Sequence, residues 1–200
     1  DGIIYTGIKQ KYKKDRKEHK FPIFKYKPPH TNSLDVFIKF EMNKDSGKYM
    51  DIFDNSIPST FKNKEFRVTN LFAGSISNGI EVPTPFMPEI NNDQVYLPII
   101  NGQVRDIEGN IIIDNTVIEI VYDNNSILPH QYRWSVLKTR WDKTESVNKY
   151  KKKYGNFSDI AIRIWKSMTE NVTIEEITNL SIPENYLSQK KILSSRLTSS

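Results

Sequence analysis

Cysteine is missing from this sequence altogether, and histidine occurs only as His19, His30 and His130. Without cysteine there is no disulfide framework and no thiolate zinc site, and the three histidines are scattered without ligand spacing. No apolar run approaches the roughly eighteen residues that a membrane-spanning helix needs. Nor does the N-terminus place a charged region before an apolar stretch and a small-residue cleavage site. The chain is therefore read as soluble and non-secreted, with no membrane partner, and the Asn-x-Ser/Thr matches at Asn124, Asn156 and Asn171 as accidental. No internal repeat is visible. What is present is the composition of a globular protein: 200 residues, 37% hydrophobic and 26% charged. That length allows one or two domains. The net charge of +5 is compatible with a phosphate-bearing partner and equally with an ordinary basic protein, so its distribution matters more than its total.

Along the chain, Asp1-Gly2-Ile3-Ile4-Tyr5 carries no cap or turn before it, which predicts a start inside a buried strand, as in a fragment of a longer protein. Nine basic residues crowd Lys9 to Lys27, relieved only by Asp15 and Glu18. Pro28 and Pro29 end the strand that holds Phe24 to Lys27, because proline cannot donate to a ladder. Strands are expected over Leu34–Phe40, Tyr49–Phe53, Phe66–Phe72, Gln94–Ile99 and Asn110–Tyr122, the last with turn chemistry at Gly109-Asn110 and Asp114-Asn115. Short strands separated by loops fit a small barrel. Ser75 to Pro88, with Pro83, Pro85 and Pro88, reads as a surface loop. Helices are expected over Glu145–Tyr154, ended by Gly155, and over Ser158–Met168. Thr173-Ile174-Glu175-Glu176 forms a capping box. The serine-rich stretch from Ser181 to Ser200 reads as a connector.

Lys25 and Lys27 alternate with Phe24 and Tyr26, so on a strand both ammonium groups project from one face. Two lysines can then neutralise one phosphate through charge-assisted bonds, although an isolated Lys-x-Lys is more often a solvated edge strand. The order of three blocks adds context: Asp1-Gly2-Ile3-Ile4, then Lys25-Tyr26-Lys27-Pro28, then Lys138-Thr139-Arg140-Trp141-Asp142-Lys143. These resemble motifs IV, V and VI of the covalent nucleotidyltransferases, the superfamily of capping guanylyltransferases and polynucleotide ligases. Lys-x-Lys-Pro followed by Asn32-Ser33-Leu34-Asp35 is similar to the capping branch, with Tyr26 in place of its usual tryptophan. Tyr154-Gly155-Asn156, Ile164-Trp165-Lys166-Ser167 and Val172-Thr173-Ile174-Glu175 resemble the large multifunctional capping enzymes of nucleocytoplasmic DNA viruses.

The resemblance implies a mainly β chain with C-terminal helices, in which an OB-fold barrel follows the last strands of a nucleotidyltransferase domain. Residues 1–32 would end that domain, 33–180 would form the OB domain with motif VI and its trailing helices, and 181–200 would lead toward a methyltransferase domain. It implies catalytic roles for Lys25, Lys27, Arg140, Asp142 and Lys143. Nucleotide contacts would come from Lys25, Lys27, Lys138, Arg140 and Lys143, and a metal contact (Mg²⁺ or Mn²⁺) from Asp1. Lys138 stands where the family often has arginine and lacks the planar fork. The implied activity is transfer of GMP from GTP, through a lysyl-GMP intermediate, to the 5′-diphosphate end of mRNA. An upstream triphosphatase domain and a downstream guanine-N7 methyltransferase domain in the same polypeptide are implied too, with a cytoplasmic location in a viral factory or the virion. The nucleophile motif Lys-x-Asp-Gly, which in the family precedes motif IV, is absent here, so the isolated chain is expected to be inactive. Lys44-Asp45-Ser46-Gly47 imitates it but follows motif V and reads as a turn. The basic run from Lys9 to Lys20 is either a track for the RNA 5′ end or a solvated loop. Two other readings stay open: an ATP-dependent polynucleotide ligase, and a non-catalytic OB-fold module that binds single-stranded nucleic acid.

Overall fold

The computed structural model describes residues 2–6, 24–28, 31–61, 63–86, 94–170 and 172–198. Asp1 and the basic run from Lys9 to Lys20 lie outside them. The chain divides into two compact units, one of Asp1–Thr31 with Glu170–Ser200 and one of Asn32–Thr169.

The larger unit is an antiparallel sheet with helices after it, so the expected mainly β architecture with C-terminal helices is what forms. Its strands are β3 (Leu34–Phe40), β4 (Asp51–Phe53), β5 (Glu65–Ser77), β6 (Ile80–Pro85), β7 (Gln94–Ile100), β8 (Gln103–Val104), β9 (Val117–Tyr122) and β10 (Trp134–Thr139). The main path runs β10-β9-β3-β5-β7-β8, with β4 and β6 also paired to β5. The long β5 is the spine: it pairs with β3 through Thr69–Phe72, with β7 through Phe66–Asn70 and with β6 through Phe72–Ser77. The sheet curls until its ends approach, and just after β8 the Ile107 N–H donates to the Val136 carbonyl of β10 at 3.0 Å.

Period-two alternation sends Leu34, Val36 and Ile38 of β3, Leu97 and Ile99 of β7 and Trp134 and Val136 of β10 into one core. Helix α2 (Ser158–Thr169) closes that core with Ala161, Trp165 and Met168, spaced i, i+4, i+7 on one stripe. Trp165 stacks on Trp134 with ring centroids 5.4 Å apart. The opposite face of β3 carries Phe37, which joins Val117, Val147 and Tyr154 in a satellite cluster under helix α1 (Trp141–Tyr150).

Three expectations are corrected here. Residues 80–85 form strand β6 rather than a loop. Pro83 and Pro85 are accommodated because β6 has β5 as its single ladder partner among the described residues, leaving the other edge without a ladder to break. The helix expected over Glu145–Tyr154 begins at Trp141 and ends at Tyr150, because Lys151, not Gly155, takes the left-handed capping conformation (φ 53°). The serine-rich stretch from Ser181 is helical, as described next.

In the other unit, β1 (Ile3–Tyr5) and β2 (Phe24–Tyr26) form an antiparallel ribbon. Ile3, Ile4 and Tyr5 are exposed rather than buried, since a two-stranded ribbon with one partner per strand has no second layer of its own. Helix α3 (Ile174–Ser181) starts at the expected capping box: Thr173 Oγ1 accepts from the Glu176 N–H and Glu176 Oε2 accepts from the Thr173 N–H. Helix α4 (Pro183–Thr198) occupies the stretch read as a connector. Proline at its first position loses no intrahelical bond there, and Arg196 reaches back to Glu176 at 2.5 Å.

Candidate functional site

Asp35 and Phe37 sit two residues apart on β3 and so share the face covered by α1. A carboxylate there is 8% exposed and needs cationic partners. The chain supplies them by fixing the first turn of α1 to the start of β9. The Arg140 N–H donates to the Val117 carbonyl at 2.7 Å, and the Val117 N–H donates back to Thr144 Oγ1 at 2.9 Å. Val117 is itself the ladder partner of Phe37. Arg140 and Lys143, three apart, lie on the same side of that turn and converge on one atom: Arg140 Nη1 donates to Asp35 Oδ2 at 2.6 Å and Lys143 Nζ donates to it at 2.7 Å. Asp142 takes the other edge of the guanidinium, accepting from Nε and Nη2 at 3.1 Å each. That fork holds the Asp142 carboxyl below its ordinary value, and Asp142 foremost, with Asp35, pushes the Arg140 guanidinium further toward its charged form.

Behind Asp35 runs a strap, Tyr154-Gly155-Asn156. The Asn156 side chain accepts from the Asp35 N–H at 2.8 Å and the Asn156 N–H donates to the Asp35 carbonyl at 2.7 Å, so both backbone groups of Asp35 are taken. Between them Gly155 (φ +95°) passes so close that a Cβ would run into the Asp35 carbonyl. Tyr154, buried edge-on to Phe37 with centroids 5.3 Å apart, anchors the strap in the satellite cluster.

The charges extend sideways along the sheet. Asp35 pairs with Glu119 on β9, and Glu119 pairs with Lys138 on β10, so the three form one lateral row. Glu119 accepts from Ser33 Oγ at 2.5 Å and pairs with Lys138 Nζ at 3.5 Å.

No family model matches this sequence. Over 199 residues, 97% of this chain, it is 37% identical to the protein named "Probable mRNA-capping enzyme" of Acanthamoeba polyphaga mimivirus. Over that span the chain is similar to a segment of a viral mRNA-capping enzyme. It spans 17% of that relative's length.

The structure brings three of the sequence-predicted residues together, Arg140, Asp142 and Lys143, and places Lys138 beside Glu119 at the end of the same charged row. Lys25 and Lys27 belong to the other unit. Lys25 lies opposite Ile4 in the β1–β2 ribbon, and both lysines are exposed. Gly2 (φ +112°) there approaches the Tyr26 carbonyl so closely that a Cβ would clash with it, which brings the backbones of the first two blocks together. Residues 44–47 form a turn: Asn43 Oδ1 accepts from the Asp45 and Ser46 N–H groups. Among the described residues no group of three or more His, Asp or Glu side chains could hold a metal ion. Asp35 and Asp142 are both engaged by cations, so neither offers a free carboxylate to one. A cavity of about 580 Å³ between Phe61, Phe66, Leu128 and Tyr132 has none of Asp35, Lys138, Arg140, Asp142 or Lys143 in its lining.

The central member of this charged cluster, Asp35, is one that sequence reasoning missed. Asp35 stands in the resemblance to the capping branch without an implied role. Its signal was a charged residue on an otherwise apolar strand, Leu34-Asp35-Val36-Phe37-Ile38, which ought to have demanded a cationic partner. Gly155 and Asn156 likewise carry no implied role in the resemblance, and the sequence places Gly155 at a helix end.

Proposed function

We propose that this chain supplies the phosphate-engaging part of a GTP:RNA guanylyltransferase, with its curled sheet serving as an OB-type barrel. One observation carries the reading: Arg140 and Lys143 converge on a single carboxylate oxygen, so their charged ends are held at the separation that suits two oxygens of one polyphosphate. In the proposed reaction the lysine Nζ of a Lys-x-Asp-Gly motif, which this sequence does not contain, attacks the α-phosphorus of GTP. A P–N bond forms, the α–β P–O bond breaks, pyrophosphate leaves with the electron pair, and the displaced proton goes to solvent. Arg140 and Lys143 offset the negative charge that develops on the departing pyrophosphate, and Lys25 and Lys27 that on the α-phosphate. An oxygen of the RNA 5′-diphosphate then attacks the same phosphorus, the P–N bond breaks, and the lysine regains a proton. Asp142 acts on Arg140, fixing the plane of its fork. A divalent cation, on the family resemblance, would belong near Asp1 and would supply charge stabilisation to the phosphates. Triphosphatase and methyltransferase domains in the same polypeptide, and a cytoplasmic viral factory or virion as its location, belong to the same proposal.

The test is to incubate the full-length polypeptide with α-labelled GTP or ATP and a divalent cation, beside Lys27→Ala and Lys143→Ala variants. Protein label from GTP alone that survives alkali and is released by acid, as a P–N bond requires, reduced at least about a hundredfold in the variants, is the expected result. Label from ATP alone would make it a ligase. No label from either, with nucleic-acid binding unchanged in Lys143→Ala, would return the chain to the non-catalytic binding modules.

A further inference from the structure

At the other end of α1 the sequence reads Lys149-Tyr150-Lys151-Lys152-Lys153-Tyr154, and four features there need a common cause. Tyr150 is 68% exposed, large for an aromatic ring. Lys151, Lys152 and Lys153 are all exposed. Lys151 and Lys153 both adopt left-handed backbone (φ 53° and 65°), a region that costs a residue with a Cβ free energy and that glycine or asparagine would take more readily. Finally, the loop is held at both ends: the Lys151 N–H caps α1 on the Val147 carbonyl at 3.0 Å, and the Tyr154 N–H donates to Glu81 at 3.0 Å while its ring is buried.

The ammonium groups here are poorly compensated. Lys149 pairs with Glu145, and Lys151 makes one long contact of 3.4 Å to the Asn148 carbonyl. Lys152 and Lys153 make no ion pair or side-chain hydrogen bond among the described residues. Lys39 adds a further cation on the rim of the same cluster, its Nζ 5.4 Å from the centroid of Phe72 and 6.0 Å from that of Phe37, the ring that packs on Tyr154. An exposed tyrosine beside a run of unpaired lysines is the combination that holds single-stranded nucleic acid, with the ring stacking a base and the cations following the phosphates.

We propose that Tyr150 and Lys151–Lys153 form a binding site for the single-stranded RNA backbone, a few nucleotides downstream of the 5′ end. This rests on the proposed function, in which the 5′ end reacts near Arg140 and Lys143 at the opposite end of α1. Ten residues of helix separate the two ends by about 15 Å, the span of a few nucleotides. The lysines read no sequence. They hold the strand by charge, and Tyr150 stacks on whichever base falls there.

The experiment measures binding of a short unstructured 5′-diphosphate RNA to the full-length polypeptide without nucleotide, over a series of salt concentrations. The variants are K151N/K152Q/K153N, whose asparagines tolerate the left-handed backbone, K151R/K152R/K153R, and Tyr150→Ala. Each lost phosphate contact lowers the salt slope by about 0.7 for a single strand. The Asn/Gln/Asn variant is therefore expected to lose about 2 from the slope, the arginine variant to keep the parent slope, and Tyr150→Ala to weaken binding roughly fivefold or more with the slope unchanged. An unchanged slope in K151N/K152Q/K153N overturns the proposal. So does loss of binding to phosphatidylserine vesicles in that variant while its RNA slope stays at the parent value, which would make the site a membrane contact. Because no nucleotide is present, absence of GTP label would sink guanylyl transfer and leave this result standing.

Discussion

The two ends of α1 carry similar charge in opposite circumstances. At the N-terminal end Arg140 and Lys143 are half-buried and tied to Asp35, whose own backbone is clamped by Asn156. At the C-terminal end Lys151 to Lys153 stand in water with almost nothing to pair with. A cation held by a fixed carboxylate has a defined position and can recognise geometry. One left on a flexible stem in high dielectric contributes attraction without direction. The same helix thus presents a rigid end suited to a specific polyphosphate and a loose end suited to any polyanion.

The contrast is broken most severely at Asp35. Asp35→Asn leaves Lys143 half-buried beside a neutral amide, and a loss of about 3 kcal/mol in urea unfolding is expected, together with loss of GMP loading in the full-length polypeptide. Gly155→Ala forces a Cβ against the Asp35 carbonyl at a φ that L-residues avoid, so about 2 kcal/mol should be lost. If the strap positions the cations, loading falls with stability in that variant. Arg140→Lys sharpens the comparison, since it keeps the charge and removes the fork. Loading should drop by roughly tenfold or more while unfolding shifts by about 1 kcal/mol. Acid titration probes the N-terminal end. The Asp142 carboxyl lies below its ordinary 3.8 because Arg140 holds it ionised. Its contribution is therefore present above pH 3.8 and is lost as the pH falls through the lower folded value. Carboxyl NMR should show the Asp142 value rising toward its ordinary range in Arg140→Ala. The smallest effect belongs to the loose end, where K151N/K152Q/K153N should change unfolding by no more than about 0.5 kcal/mol.

What the sequence made legible was local. Leu34–Phe40 announced itself by apolar residues of β propensity, and the α3 start by Thr173 and Glu176, because a capping box is closed within four residues. The three cations and acids around Trp141 were found through resemblance, not through any pattern that forces them together. What stayed hidden depended on distant partners. Pro83 and Pro85 hid β6, since nothing in their neighbourhood says that the strand has an edge to spare. Lys151 took the left-handed cap in place of Gly155 because Gly155 is needed elsewhere, against a strand 120 positions earlier. Asp35 looked like an interruption in a strand until the partners of its side chain were known.

That separation has a consequence for how the chain comes together. Asp35 lies near the start of its unit, while Arg140, Lys143 and Asn156 follow it by 105, 108 and 121 positions. Contacts of such sequence separation form late, after the entropy of closing the long loop has been met. During synthesis the carboxylate emerges first, with no cation to meet it, and the cluster exists only once the strap has arrived and docked. The charged cluster is therefore a property of the finished unit alone, so that a truncated or half-folded chain would carry every strand of the sheet and still lack the paired cations on which the proposed phosphate grip depends.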